Sequence, residues 1–155
     1  MKTKITTCRA RLTRAGLILA LAPAALASDV IKANNTGNLD LGASWVSGTP
    51  PGASDVGVWD ATVTAANAVL LGASANWAGI RITNVGGAVS IGNDGNTLTL
   101  GASGIDMTGA GYGLTLGCIL DISNDQTWNL GTRSLALSGA NTGSGGLTLT
   151  GGTVF

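Results

Sequence analysis

The sequence predicts an all-β protein, a right-handed parallel β-helix (a β-solenoid) that follows an N-terminal signal peptide. The chain of 155 residues contains 25 glycines, and only 10% of its residues are charged. Short apolar segments with a period of two recur from residue 69 onward, separated by clusters of turn residues. No apolar pattern at helical spacing continues beyond residue 27. These observations favour short stacked strands over helices.

Residues 1–27 have the pattern of a bacterial secretory signal peptide. Five basic residues precede the apolar run Leu17–Ala22, and small residues lead up to Ala27. We therefore expect cleavage between Ala27 and Ser28. The apolar stretch covers only about 11 residues, too few to span ~30 Å of hydrocarbon, and Pro23 interrupts it. No transmembrane segment is predicted, and we expect the protein to be secreted, either extracellular or on the outer surface of a bacterium.

The mature chain is interpreted as an N-terminal lead-in and cap at residues 28–68, followed by solenoid coils at residues 69–155. The coil segments share a three-residue pattern, with an apolar residue on each side of a middle residue. They are Val69–Leu71, Ile80–Ile82, Val89–Ile91, Leu98–Leu100, Ile105–Met107, Leu114–Leu116, Leu120–Ile122, Trp128–Leu130, Leu135–Leu137 and Leu147–Leu149. Two or three segments per coil predict coils of roughly 18–25 residues, about four in all. The alternative is a β-sandwich, whose strands are usually longer.

The last segment, Leu147–Phe155, has the pattern of an entry into another coil. A solenoid without a polar cap exposes strand edges and an apolar cross-section. We therefore expect that the coils are truncated here and that the sequence is a fragment of a longer reading frame. The alternative is that the chain self-associates end to end.

Four stretches carry a resemblance to a known family: Pro51–Asp60, Trp77–Asn84, Asn96–Met107 and Gln126–Leu130. They resemble autotransporter-associated β-strand repeat proteins, exported bacterial proteins rich in Gly, Thr and Asn. The resemblance extends over residues 39–155. It implies a surface-exposed or secreted passenger on a β-helical stalk, and it brings no catalytic residues with it.

The composition excludes several functions. The chain has no His, and all eight of its acidic residues are Asp. Without the leader, the chain has three basic residues, Lys32, Arg81 and Arg133, and eight Asp. The resulting net charge of −5 excludes nucleic-acid binding through clustered basic residues. Cys118 lies among apolar residues and is expected to be buried and inert. We expect a non-catalytic structural or adhesive segment with no cofactor and no metal site.

Aromatic residues suggest an alternative function. Exposed Trp45, Trp59 and Trp77 would form a carbohydrate-binding patch, since indole faces stack on sugar rings. A surface glycan or another cell-surface ligand is the partner expected of an adhesive protein. The other interpretation is that Trp59 and Trp77 pack over the first coil as a cap while Trp128 lies in the core.

Aspartates carry the third hypothesis, a β-helix polysaccharide lyase or hydrolase. Asp94 and Asp125 lie next to turns, whereas Asp106 and Asp121 occupy outward positions in strands. Such enzymes need two carboxylates at a set separation. Spacing along the chain shows no such pair, so no catalytic residue is assigned.

Overall fold

The structure, a computed structural model, describes residues 27–155; the predicted leader lies outside them except for Ala27. The regular secondary structure of this part of the chain is all β, apart from a single 3-10 turn at Gly42–Ser44. The strands in chain order are β1 Ser28–Ile31, β2 Asp55–Trp59, β3 Asn67–Val69, β4 Ala75–Thr83, β5 Val89–Ile91, β6 Thr97–Gly109, β7 Leu114–Leu116, β8 Ile119–Ile122, β9 Gln126–Leu137, β10 Asn141–Thr142 and β11 Leu147–Val154.

All ladders between these strands are parallel, and each joins residues one coil apart. The offset along the chain is largest between Ser28 and Asp55, at 27 positions, and smallest between Val154 and Leu135, at 19. Parallel pairing at such offsets is the stacking of a solenoid, whereas a sandwich has antiparallel sheets. The predicted β-solenoid is confirmed. The predicted number of coils is too low, because the structure has about six turns.

Three ladders form the faces of the solenoid. The long face joins β1, β2, the second half of β4, and then β6, β9 and β11. The second face joins β3, β5, β7 and the end of β9. The third face joins the start of β4 and β6 to β8 and β10. The undercount arose because β1 and β2, in the predicted lead-in, already belong to the long face.

Several predicted three-residue segments are joined into longer strands. Strand β6 has 13 residues and contains both Leu98–Leu100 and Ile105–Met107. The chain turns between the two faces at Gly101–Gly104, and Gly104 has a φ of +59°. A left-handed backbone conformation of this kind costs a residue with a Cβ about 1–2 kcal/mol. Glycine therefore lets one continuous strand serve two faces.

The core is a continuous apolar column inside the coils. The first and third residues of the apolar segments point inward, as in Val89–Ile91 and Leu114–Leu116, where the middle residue is half-buried. In the ladders Val89 stacks on Leu114, and Leu114 stacks on Leu135. Each buried side chain thus contacts its equivalent in the next coil, and burial of these columns stabilises the stack.

Candidate functional site

Three tryptophans form one buried cluster at the N-terminal end of the core. The Trp45 ring lies 5.8 Å from Trp59 and 5.6 Å from Trp77, both edge-on, and the Trp59 and Trp77 rings are 6.4 Å apart. Their exposed fractions are 2%, 0% and 1%. The indole N–H of Trp45 donates to the Leu39 carbonyl, and that of Trp59 donates to Asn67 Oδ1. The cluster therefore packs the first coils together.

This burial bears directly on the carbohydrate-binding alternative. Trp45, Trp59 and Trp77 have no exposed face on which a sugar ring can stack. Trp128 is also fully buried, and its N–H donates to Gln126 Oε1 at 2.7 Å. In this structure the three tryptophans are packing residues, and a glycan patch built from them has no surface to act through.

Four of the eight aspartates accept a hydrogen bond from a residue two positions later in the chain. The carboxylates of Asp60, Asp94 and Asp106 each accept a hydrogen bond from the backbone N–H two residues later, at 2.8 to 3.1 Å. Asp121 accepts instead from the hydroxyl of Ser123, also two residues later. The short Asp side chain fits this local geometry.

Two aspartates also connect neighbouring coils. Asp94 Oδ2 accepts a hydrogen bond from the Gly72 N–H at 2.7 Å, and Asp125 Oδ1 accepts one from Gly146 at 2.6 Å. The hydrogen bonds from Gly72 and Asn96 lower the pKa of Asp94 by stabilising its charged form, and outweigh the opposing effect of burial. Both carboxylates thus hold adjacent turns in register.

The two outward aspartates do not form a carboxylate pair. Asp106 is on the long face, where its ladder neighbours are Arg81 and Asn129. Asp121 is on the third face, between Thr99 and Thr142. Because the two residues occupy different faces, they do not have the facing arrangement that glycoside hydrolysis requires.

Arg81 joins three coils on the long face. Its Nη1 lies 2.5 Å from Asp29 on β1, and its Nε lies 3.6 Å from Asp106 on β6. To reach Asp29, the side chain crosses the intervening strand β2, where Val56 and Val58 point outward yet are only 4% exposed. The long apolar stem of an arginine can cover such side chains while its charged end stays in water.

Lys32 follows β1 and is completely buried. Its ammonium donates to the carbonyls of Ala33 and Asn35 and to Asn35 Oδ1, at 2.8 to 3.0 Å. Burial lowers its pKa from 10.5 to about 8. The three oxygens hold the turn that begins the cap segment, which we define as residues 33–46.

Replacing Lys32 with Met is expected to remove a pH dependence of stability. The folded pKa is below the unfolded value, so unfolding takes up a proton between pH 8 and 10.5, and stability rises with pH there. Between pH 7 and pH 9 the free energy of unfolding of the wild type should therefore rise by about 1 kcal/mol more than that of Lys32→Met. Urea unfolding at both pH values measures this.

The Lys32→Met comparison controls for a second titrating group. Burial raises the pKa of the Cys118 thiol to about 11, which lowers stability above pH 9 in both proteins and cancels in the difference. The three oxygens that accept hydrogen bonds from the Lys32 ammonium each keep another donor in the variant. These donors are the N–H groups of Asn35 and Gly37 and the side-chain amide of Asn67. Equal pH slopes in the two proteins would contradict the assignment.

The surface carries shallow grooves. One of about 460 Å³ lies at a corner, lined by Ser103, Asp125, Thr127 and Thr148 among others. It contains one carboxylate, which already accepts the Gly146 hydrogen bond. A second groove, of about 350 Å³, lies near Asp40, Pro51 and Asn76. Neither lining supplies two carboxylates or a base beside a nucleophile, the arrangements that hydrolytic chemistry needs.

Other functional groups are sparse in the described residues. Cys118 is buried, and its raised pKa keeps it a thiol at neutral pH. Within residues 27–155 no group of three His, Cys, Asp or Glu is placed to hold a metal ion. In the same part of the chain, no helix is long and apolar enough to cross a membrane.

Sequence reasoning missed the burial of Lys32. Nothing in the pattern around Lys32 marks it as buried, since the oxygens that hold it are set by the fold of the cap. The turn role of Asp was visible in part, because Asp60, Asp94, Asp106 and Asp121 all precede a Thr, Asn or Ser at the second position.

The fold and its surface together define a class of protein, a parallel β-solenoid whose polar side chains serve its turns and coil contacts. Comparison of the chain with protein-family models, curated proteins and solved structures finds no match. The resemblance to autotransporter-associated repeat proteins stays a prediction from the sequence.

Proposed function

We propose that this protein is exported from a bacterial cell and acts outside it as a non-catalytic structural segment, a passenger or stalk. The observation that carries the proposal is that surface carboxylates are engaged in hydrogen bonds within the protein. The carboxylates that sequence analysis considered for catalysis, such as Asp94 and Asp121, accept hydrogen bonds from turns or neighbouring coils. These contacts favour a structural role for them.

The mechanical basis is the ladder of the long face. It contains six strands, and parallel neighbours are about 4.8 Å apart, so the coils extend over roughly 24 Å. Main-chain hydrogen bonds and the apolar columns connect every coil to the next. Such a rod keeps its shape with few charges, as a spacer on a cell surface requires. A surface glycan or another cell-surface ligand is the proposed partner of the segment.

The leader pattern supports export. Its expected cleavage point, between Ala27 and Ser28, falls directly before β1, which begins at Ser28. Removal of residues 1–27 would therefore leave all eleven strands intact.

Export is tested by expressing the full chain and a variant without residues 1–27 in a bacterial host and fractionating the cells. We expect the full chain in the periplasm or medium and the shortened chain in the cytoplasm. A cytoplasmic protein of known location, expressed alongside, controls for lysis. Retention of the full chain in the cytoplasm would contradict the proposal.

A further inference from the structure

Tyr112 is an exposed aromatic residue on the side of the solenoid. The four tryptophans are at most 2% exposed, whereas Tyr112 is 48% exposed. It lies at the corner that connects β6 to β7, two residues before Leu114. Coils are stacked on both sides of this corner, because β7 pairs with β5 on one side and with β9 on the other. The ring is therefore presented laterally.

Arg133 occupies the equivalent position in the next coil. It lies two residues before Leu135, which pairs with Leu114 in the ladder of the second face. Its Nε donates to the Ala110 carbonyl at 3.0 Å, and this bond brings the guanidinium against the segment that carries Tyr112. Parallel strands are about 4.8 Å apart, so the two side chains come from adjacent levels. We call residues 110–113 together with Arg133 the Tyr112 corner.

Arg133 is also the basic side chain whose charge is available at the surface of the described residues. Lys32 is fully buried, and Arg81 pairs with Asp29 and Asp106. In the described part of the chain, no carboxylate forms an ion pair with Arg133. A guanidinium has five N–H donors, and the bond from Nε orients the group while the two Nη atoms stay available to a ligand.

Glycines border the Tyr112 corner along the solenoid axis. In the preceding coil, the register of the second face places Gly87 at the equivalent position. In the following coil, Gly152 lies so close to Arg133 that an added Cβ would be 2.3 Å from the Arg133 carbonyl oxygen. Since neither glycine carries a side chain, both neighbouring levels leave room for a ligand beside the Tyr112 ring.

We propose that the Tyr112 corner binds one hexuronic acid residue of a glycan, which specifies the chemistry of the partner named in the proposed function and rests on that function. The apolar face of the sugar packs on the Tyr112 ring, and its carboxylate accepts two hydrogen bonds from the Arg133 Nη atoms. Three basic residues against eight Asp make the chain repel a polyanion. One available guanidinium matches a single carboxylate.

Titration of the purified protein with methyl glucuronide, followed by NMR, tests the proposal against two related probes. Methyl glucoside has the sugar ring without the carboxylate, and acetate has the carboxylate without the ring. We expect a Kd on the order of 1 mM for methyl glucuronide, about tenfold lower than for either other probe. Amide shifts should change in residues 110–113 and 132–134. Raising the salt from about 20 to about 200 mM should weaken binding, because it screens an exposed ion pair.

Variants separate the two parts of the site. Tyr112→Ala should weaken binding of methyl glucuronide about fivefold or more, and Arg133→Gln should remove the preference over methyl glucoside. Arg133→Lys keeps the charge without the planar fork, so it should retain part of that preference. Leu41→Ala, at a position in the cap segment that is 50% exposed, is the matched control and should leave the Kd unchanged.

Four outcomes would overturn the proposal: no binding up to about 50 mM, equal binding of glucuronide and glucoside, unchanged binding in both Tyr112→Ala and Arg133→Gln, or shift changes centred outside the Tyr112 corner. Because the titration uses purified protein, absence of binding would leave the proposed export unaffected. Retention of the full chain in the cytoplasm would contradict the proposed function whatever sugar the protein binds. The two failures are therefore distinguishable.

Discussion

Replacement of Trp59 with Ala is expected to lower the free energy of unfolding by about 3–5 kcal/mol, the usual cost of removing a large buried aromatic side chain. Trp59 is fully buried and packs against both cluster partners, edge-on to Trp45 and tilted against Trp77. Its loss also leaves Asn67 Oδ1 without the indole donor. Urea unfolding followed by far-UV circular dichroism measures the effect.

Two control variants accompany Trp59→Ala. Trp59→Phe keeps an aromatic ring and loses the N–H, so it should cost less than the alanine variant. Val46→Ala, at a position that is 61% exposed, should change stability by no more than about 0.5 kcal/mol. If Trp59→Ala cost as little as Val46→Ala, the aromatic cluster would not be the packing centre that the structure indicates.

Replacement of Gly104 with Ala is expected to cost about 2–4 kcal/mol, for two separate reasons. Its φ of +59° is unfavourable for any residue with a Cβ, and the added Cβ would lie 2.4 Å from the Thr127 carbonyl oxygen. That oxygen belongs to the backbone of the next coil, which cannot move without disturbing the ladder. Thermal or urea unfolding of the variant measures the loss.

Gly95 provides a matched control for Gly104. It has a φ of +82°, but an added Cβ there meets no atom within 4 Å. Gly95→Ala should therefore show only the conformational cost of about 1–2 kcal/mol. The difference between the two variants isolates the contact between coils. Equal losses would show that the coils are not packed this closely at Gly104.

The fold could be predicted to the level of its repeating unit. Segments such as Leu98–Leu100 and Leu114–Leu116 alternate between buried apolar and half-buried polar residues, and local alternation is visible in a sequence. Their assignment to faces was not visible, because one strand, β6, turns through Gly101–Gly104 and serves two faces. The inclusion of β1 in the long face depends on pairing with Asp55, 27 positions away, which no local pattern specifies.

The candidate site was predictable only where its contacts are local. Asp106 and Thr108 are two positions apart, so the hydrogen bond between them within β6 is local and follows from spacing. The bond from Gly72 to Asp94 spans 22 positions and depends on coil register. Tryptophan is used both in cores and at sugar sites, and its type alone does not decide between them. Only the packing of Trp45 across the end of the first coils makes the cluster a buried one.

The central claim is that residues 28–155 are exported as a structural solenoid with its first coil complete. Intact-mass and N-terminal sequence analysis of the protein recovered outside the cytoplasm tests it most directly. We predict a product that begins at Ser28, the first residue of β1. A product that keeps Met1, or one that begins after Ile31 and so lacks the first strand of the long face, would contradict the claim.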